Sequence, residues 1–495
     1  LHSFPPRRSS DLGLSGGGTL TMFLSALDER VKCAAVNEGG TSHRWPVLIR
    51  PGARIGPADV EQNIFSAAVY GIDLCDLHVA IAPRPLLATI ENYAPGFDLA
   101  AAHIRRRYAQ LGVPEKFATE EATDPHAWTV KLRLANTRWF CRWFLDRAGP
   151  AAEPDFEPEP PENLYCTPNG SIRYSRQGQT IFSLIIKKQT ELPPERAVPA
   201  GLAALESYRR EIRQRIRELL AYRDASGPLS VRHLVTTPRK RYRVEKVEFL
   251  SEPGIYVPTW VFVPDENVAH GPVTLYIDES GKQAQGMESG LLEQWARQGR
   301  VAAAIDVRGI GETAPPHAGD TAASPFRHLF DTETAMSYMA WYMDKSLFGM
   351  RVFDVVRGVD YLLGRPGAQP SSVRVAGKGM GALWALFAAA LDPRIGEVVL
   401  EAGLLSYRTL TQSDRYLHGA NVFIRDVLEH FDLPQVAAAL APRPLTLISP
   451  VDAMRRPVEP GRARREYEWT ARAYRAAGAE DNFRISAHGT NRPVR

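Results

Sequence analysis

Two short motifs occur twice in this chain, in the same order and nearly the same distance apart. A-L-D-x-R stands at residues 26–30 and again at 390–394; A-P-R-P-L stands at 82–86 and again at 441–445. Their offsets are 364 and 359 residues. One such match arises easily by chance, whereas two in order at matched spacing imply two copies of one fold. The 495 residues accommodate that, since single hydrophobic cores stop growing near ~250–300 residues.

The later copy carries the fuller pattern. Residues 247–250 and 258–263 read as paired strands, while 273–277 and 301–305 are short apolar runs of the buried-strand kind. A helix over 350–363 precedes a strand at 373–376, a glycine turn and a helix ending at Leu391. Strands at 397–400 and 445–448 follow, then a long helix around 467–477 and a strand at 483–485. Strands alternating with helices predict an α/β domain of three layers. The first copy holds only the later part: a helix over 19–27, strands at 31–36 and 86–90, and a helix over 100–111. A closing helix puts Trp139, Phe140, Trp143 and Phe144 on one face. Between the copies, a Pro/Glu run over 151–162 reads as a linker and Asn169-Gly170 as a hairpin turn. The two domains are therefore expected at 13–150 and 200–495, joined by 151–199. The helix over 203–222 steps Leu205, Tyr208, Ile212, Ile216 and Leu219 along one face and leaves its arginines to solvent.

The first copy opens on Gly13-Leu14-Ser15-Gly16-Gly17, a G-x-S-x-G turn followed by an apolar helix. Such a turn lifts a nucleophilic serine between strand and helix, and its glycines let the two elements approach. No strand is expected before Gly13. Residues 2–12, HSFPPRRSSDL, differ at one position from HSFPTRRSSDL, the peptide encoded by a common sequencing adapter. Residues 1–12 are accordingly read as adapter translation, with the strands that precede the elbow expected upstream of it.

A serine hydroxyl needs a base, and the base needs a carboxylate to hold its tautomer. In the order Ser, acid, His, Glu91 directly follows the strand at 86–90 and Asp98 lies seven residues on. Glu38, after the strand at 31–36, is a third candidate acid. His126, in Asp124-Pro125-His126-Ala127-Trp128, stands where the base is expected.

With GLSGGGTLT, the APRPL strand and the DPHAWT loop, the chain resembles the acetyl xylan esterase-like branch of the alpha/beta hydrolases. The resemblance spans both copies, with the catalytic motifs in the first alone. It implies a three-layer hydrolase fold and hydrolysis of carboxylic esters, often acetyl groups on polysaccharides. Ser15 would be the nucleophile, His126 the base, Glu91 or Asp98 the acid, and the Gly16 amide one oxyanion donor. The sequence Glu91-Asn92-Tyr93 departs from the aspartate usual in that acid loop. A serine peptidase of the prolyl oligopeptidase type shares the fold and triad.

The second elbow reads Gly377-Lys378-Gly379-Met380-Gly381, and Ser15 and Gly379 each stand 12 residues before the leucine of A-L-D-x-R. Glycine offers no oxygen for an acyl enzyme. Asp452 and His488 keep the acid and base positions, so this copy is expected to be silent, with Asp452, Ser280 or Lys378 as the residues a different chemistry would use. Asp306-Val307-Arg308-Gly309-Ile310-Gly311 resembles a segment whose aspartate and arginine are structural in the same esterases. A non-catalytic binding module is the other class of reading.

The net charge of +4 is too small to imply nucleic acid. No apolar stretch approaches the ~20 residues of a membrane span. Cys33, Cys75, Cys141 and Cys166 lack metal-type spacing, and no dinucleotide loop or H-E-x-x-H pattern occurs. Neither cofactor nor metal is expected; the partner is a small-molecule or polysaccharide ester, and compartment and oligomeric state stay open.

Overall fold

The computed structural model describes residues 9–40, 64–91, 96–123, 126–192, 198–199, 201–225, 227–265, 273–314, 332–365 and 372–487. The chain divides into two compact units, one over Leu1–Gly170 with Tyr338–Asp344, the other from Ser171 onward.

Unit 1 contains four parallel strands in the order β1 (Ser9–Leu14), β2 (Val31–Asn37), β3 (Leu86–Glu91) and β4 (Phe117–Ala122). Helices α1 (Gly16–Leu27), α2 (Leu74–Ala80), α3 (Phe97–Gln110) and α4 (Val130–Leu145) connect or follow them. The expectation of no strand before Gly13 is corrected by β1, which pairs with β2 in register Asp11↔Ala34 and Gly13↔Val36. Backbone pairing carries this strand despite its polar sequence. Asp11 occupies a position that holds Val375 in unit 2, and burial raises its carboxyl pKa. Residues 1–8 lie outside the described residues.

Unit 2 carries nine strands: β5 (Arg232–Arg239), β6 (Tyr242–Glu252), β7 (Ile255–Pro264), β8 (Val273–Asp278), β9 (Ala302–Ile305), β10 (Val373–Lys378), β11 (Ile395–Glu401), β12 (Leu445–Ile448) and β13 (Phe483–Ser486). Their order is β13-β12-β11-β10-β8-β9-β7-β6-β5. From β8 to β13 the pairing is parallel, which needs crossover connections rather than hairpins. Helices α5 (Leu202–Leu219), α6 (Leu347–Leu363), α7 (Met380–Leu391) and α8 (Glu468–Ala476) pack on this sheet. All twelve residues of α7 are buried, which its apolar sequence MGALWALFAAAL demands on every face. On α5, Leu205, Tyr208, Ile212 and Ile216 are buried.

The four strands of unit 1 match β10–β13 in order and direction. Both sets share an irregularity after their first paired residue, between Ser9 and Ser10 and between Val373 and Arg374. The repeated motifs have a common cause. Arg84 of the first A-P-R-P-L donates to the carbonyls of Ser25, Asp28 and Val31 at 2.6, 3.0 and 2.9 Å, closing the C-terminal end of α1. Arg443 does the same at Ala389, Asp392 and Ile395, at 2.7, 3.2 and 2.7 Å. These are orphan helix carbonyls and loop carbonyls that require donors. Tyr108 and Tyr474 in turn donate to the carbonyls of Arg84 and Arg443.

A further expectation changes. Leu164-Tyr165 and Ile172–Arg176 form no hairpin at Asn169-Gly170; a short 3-10 turn, Pro161–Leu164, and a helix, Ile172–Arg176, stand there. Leu164, Tyr165, Ile172 and Tyr174 are exposed and have no sheet to join. The helix expected around 467–477 forms as α8, with a separate helix, Pro460–Glu466, directly before it.

Candidate active site

Ser15 sits between β1 and α1 with φ 59° and ψ −123°. That region is costly for a residue with a side chain, and the glycines around it show how the turn closes. A Cβ on Gly13 would lie 2.2 Å from the Gly17 carbonyl, and one on Gly18 2.2 Å from the Asn37 oxygen. The Ser15 amide donates to the Asn37 carbonyl at 2.9 Å, which ties the elbow to the end of β2.

Asn37 is fully buried and organises this end of the sheet. Its Nδ2 donates to the Gly13 carbonyl at 3.1 Å, and its Oδ1 accepts from Thr89 Oγ1 at 2.8 Å. Asn37 and Asn136 exchange amide hydrogen bonds at 3.1 and 2.8 Å. Asn136 also donates to the Leu132 carbonyl at 2.7 Å, so α4 is fastened to the elbow strand through two amides. This polar triangle was not singled out from the sequence; three isolated polar residues in strands and a helix carry no short-range signal.

The candidate triad residues collect at the carboxyl edge of the four strands, where open α/β sheets place their sites. Ser15 follows β1, Glu38 follows β2, Glu91 ends β3, and His126 lies between β4 and α4. His126 is half-buried, and Thr129 begins α4 three residues later as its N-cap. Glu38 is buried and also has a positive φ, 55°; its amide donates to the Thr89 carbonyl at 3.2 Å. Asp98 is exposed in the first turn of α3. Residues 92–95, between the two later acids, and Asp124-Pro125 lie outside the described residues. Cys33, on β2, is no competing nucleophile: burial pushes its thiol up to about 12. A thiol, a carboxylate and an imidazole also meet at Cys75, Asp76 and His103, where Asp76 already caps α2 through the Asp73 amide at 2.8 Å.

The elbow of unit 2 has the same shape. Gly379 adopts φ 60° and ψ −124°, and a Cβ on Gly377 would lie 2.2 Å from the Gly381 oxygen. Its surroundings differ. A Cβ on Gly381 would meet the Ile277 carbonyl of β8 at 2.3 Å, whereas the matching Gly17 would meet nothing within 4 Å. Where a serine side chain would stand, the carboxylate of Glu279 accepts from the Met380 amide at 3.0 Å. Met380 matches Gly16, the expected oxyanion donor. Glu279 was also missed from the sequence, although an acidic pair, Asp278-Glu279, directly after an apolar strand was the available signal.

The remaining unit 2 candidates have structural partners. Asp452 Oδ1 accepts from the amides of Met454 and Arg456 at 2.8 and 2.9 Å, closing a turn after β12. Lys378 pairs with Glu401 at 3.1 Å, and the Ser280 amide donates to Asp278 at 2.9 Å. His488 lies outside the described residues. In the Asp306–Gly311 segment, Asp306 accepts from the amides of Lys282 and Glu312 at 2.7 and 2.9 Å, and Arg308 pairs with buried Asp354 at 2.6 Å. A cleft of about 570 Å³ over β5–β7, walled by Tyr242, Trp260 and Phe262, includes no residue of either elbow.

The strand order of unit 2, its crossover helices and its glycine elbow after β10 describe one fold, and the profile of the Abhydrolase family matches residues 185–492. The chain belongs to the Abhydrolase family. Its fold is that of the alpha/beta hydrolases. The matched span covers most of unit 2 and leaves Ser15 outside it. YtaP, a provisionally named hydrolase of Bacillus subtilis (strain 168), is 26% identical over 283 residues, 56% of this chain and 91% of that protein. The crystal structure of a provisionally named acetyl xylan esterase from Bacteroides fragilis NCTC 9343 is similar at a TM-score of 0.52 and 18% identity, covering 65% of this chain and 86% of the other.

Proposed function

We propose that the protein is a serine ester hydrolase whose chemistry belongs to unit 1, acting on carboxylic esters, with acetyl esters of carbohydrates as the substrate class. The observation that carries this reading is the strained backbone of Ser15, held between β1 and α1 at the carboxyl edge where Glu38, Glu91 and the His126 loop also end. Ser15 attacks the ester carbonyl as His126 takes its proton; the Gly16 amide faces the developing oxyanion. The alcohol leaves with that proton, and water then releases the acid by the same route in reverse. A triad acid is normally buried. Among the candidate acids with described side chains, burial supports Glu38 over exposed Asp98; Glu91 competes from the end of β3. Support for the substrate class comes from the likeness to the B. fragilis esterase. Unit 2 is read as silent, because Gly379 has no oxygen and its elbow amide is already engaged.

The experiment is turnover of a short-chain nitrophenyl ester and of acetylated xylo-oligosaccharides by the chain, Ser15→Ala, His126→Ala, Glu38→Gln, Glu91→Gln and Asp98→Asn. Ser15→Ala and His126→Ala each abolish turnover, and one of the two glutamate variants loses more than Asp98→Asn. Cleavage of peptide substrates with ester turnover absent would favour the peptidase. Loss of all turnover in the parent chain would favour the non-catalytic module, a reading supported by the family match falling on the unit with Gly379.

A further inference from the structure

We infer that unit 2 retains its oxyanion site and keeps it closed with its own carboxylate: Glu279 fills the space of the absent nucleophile and of the anion that nucleophile would generate. Glu279 is the first residue after β8, and its amide donates to the Lys378 carbonyl at 3.3 Å, which fixes the turn beside the elbow. From there the side chain reaches across the elbow. One carboxylate oxygen, Oε2, accepts from the Met380 amide at 3.0 Å; the other, Oε1, pairs with Arg455. Met380 opens α7, so the carboxylate also sits at the positive end of a buried twelve-residue helix.

Steric evidence agrees with the hydrogen bonds. A Cβ on Gly379 would stand 2.2 Å from Glu279 Cδ and 2.5 Å from each carboxylate oxygen. Side chains at 379 and 279 therefore exclude one another in this arrangement. Glycine at the nucleophile position is what admits the carboxylate, beyond being the loss of a hydroxyl. The group displaced by any side chain at 379 is the end of a flexible chain, so the elbow can receive one only if Glu279 gives up both partners. Arg455, itself at a positive φ of 58°, would then face the vacated hole as a free cation. An elbow stripped of Glu279 thus presents an amide, a helix end and a guanidinium to a small carboxylate.

The inference concerns unit 2 and stands whether or not Ser15 is a nucleophile, because its readouts need no turnover. Thermal unfolding of the full chain is measured for Gly379→Ser, Glu279→Ala and the double variant, each with sodium acetate and with sodium chloride at equal ionic strength. Gly379→Ser lowers the Tm of the unit 2 transition by about 4 °C or more in the parent background, and by less than half of that in the Glu279→Ala background, since the backbone strain is common to both. Acetate raises the Tm of Glu279→Ala above its chloride control and leaves the parent chain unmoved. If Glu279→Ala does not fold, Glu279→Ser, whose shorter side chain also vacates the elbow, takes its place in the same cycle, with an anion-dependent rise in Tm again expected relative to the parent. Equal losses for Gly379→Ser in both backgrounds, or acetate that lifts the parent as much as the variant, overturn the inference.

Discussion

Ser15 and Gly379 hold one backbone conformation, φ 59° and ψ −123° against φ 60° and ψ −124°, although one carries a hydroxyl and the other nothing. The elbow geometry is therefore set by the strand, the following helix and their close glycines, and the residue at its tip accepts the conformation imposed on it. A side chain there is strained; glycine is not. Ser15→Gly should hold or raise the stability of unit 1, by about 1 kcal/mol at most after glycine's extra unfolded-state entropy, while ester turnover disappears. Urea unfolding with parallel activity assays checks both halves. Loss of stability with retained turnover would contradict the elbow reading.

Arg84 and Arg443 each supply donors to three carbonyls at and beyond the end of an elbow helix. Burial lowers the Arg443 guanidinium to about 10, so it stays charged at neutral pH. Arg443→Met keeps the apolar stem and removes these donors from the carbonyls of Ala389, Asp392 and Ile395, leaving Asp392 with the Ile395 amide at 3.3 Å. The expected cost is about 3 kcal/mol in the unit 2 transition, read from the urea midpoint. Lysine should recover only part of it, because one ammonium cannot span the fork.

The reciprocal amides of Asn37 and Asn136 join the end of β2 to the helix that follows the His126 loop. Asn136→Leu leaves the buried Asn37 Nδ2 and Oδ1 each short of one partner and should cost about 1–3 kcal/mol. If the pair also positions the loop, kcat on the nitrophenyl ester falls by more than KM rises. Asn136→Asp keeps an acceptor for Asn37 Nδ2 but turns a carboxylate oxygen toward Asn37 Oδ1 and the Leu132 carbonyl, so near neutral pH it should cost at least as much as Asn136→Leu in stability measurements.

His78 and His418 are held below the ordinary imidazole value, in both cases chiefly by burial. The bond of His78 Nδ1 to the Leu74 carbonyl, 3.0 Å, and that of His418 Nε2 to the Asp452 carbonyl, 3.0 Å, offset this only in part. Just below about pH 6.5 the unfolded chain binds protons that the folded chain refuses, so stability rises with pH there and is lost on acidification. Urea midpoints at stepped pH values between 5 and 7.5 should fall toward the acid end, and His78→Gln should flatten that slope. A midpoint that rises on acidification would contradict the assignment.

Much of the α/β architecture was legible because its signals are local. The elbow glycines, the apolar runs of β8 to β12 and the stripe on α5 each occupy a few consecutive residues. The duplicated motifs were legible as a pattern, and their cause, an arginine closing the helix before it, needed coordinates. What stayed hidden depends on contacts between distant positions: Asn37 with Asn136, Glu279 with Met380, and the pairing that makes a strand of the polar Ser9–Leu14. Glu91 stood ahead of Glu38 on chain order alone; the burial of Glu38 beside the elbow strand, a tertiary property, is what brings it forward.

On the proposed function, Ser15 is the nucleophile of this protein and unit 2 has none. A fluorophosphonate reacts covalently with an activated serine hydroxyl and ignores an unactivated one. Treating the intact chain, Ser15→Ala and His126→Ala with such a probe, followed by proteolysis and peptide mass spectrometry, reads the site directly. One adduct is expected, on Ser15, absent from both variants, with Ser280 and every other hydroxyl of unit 2 unmodified. An adduct in unit 2 that persists in Ser15→Ala would contradict it.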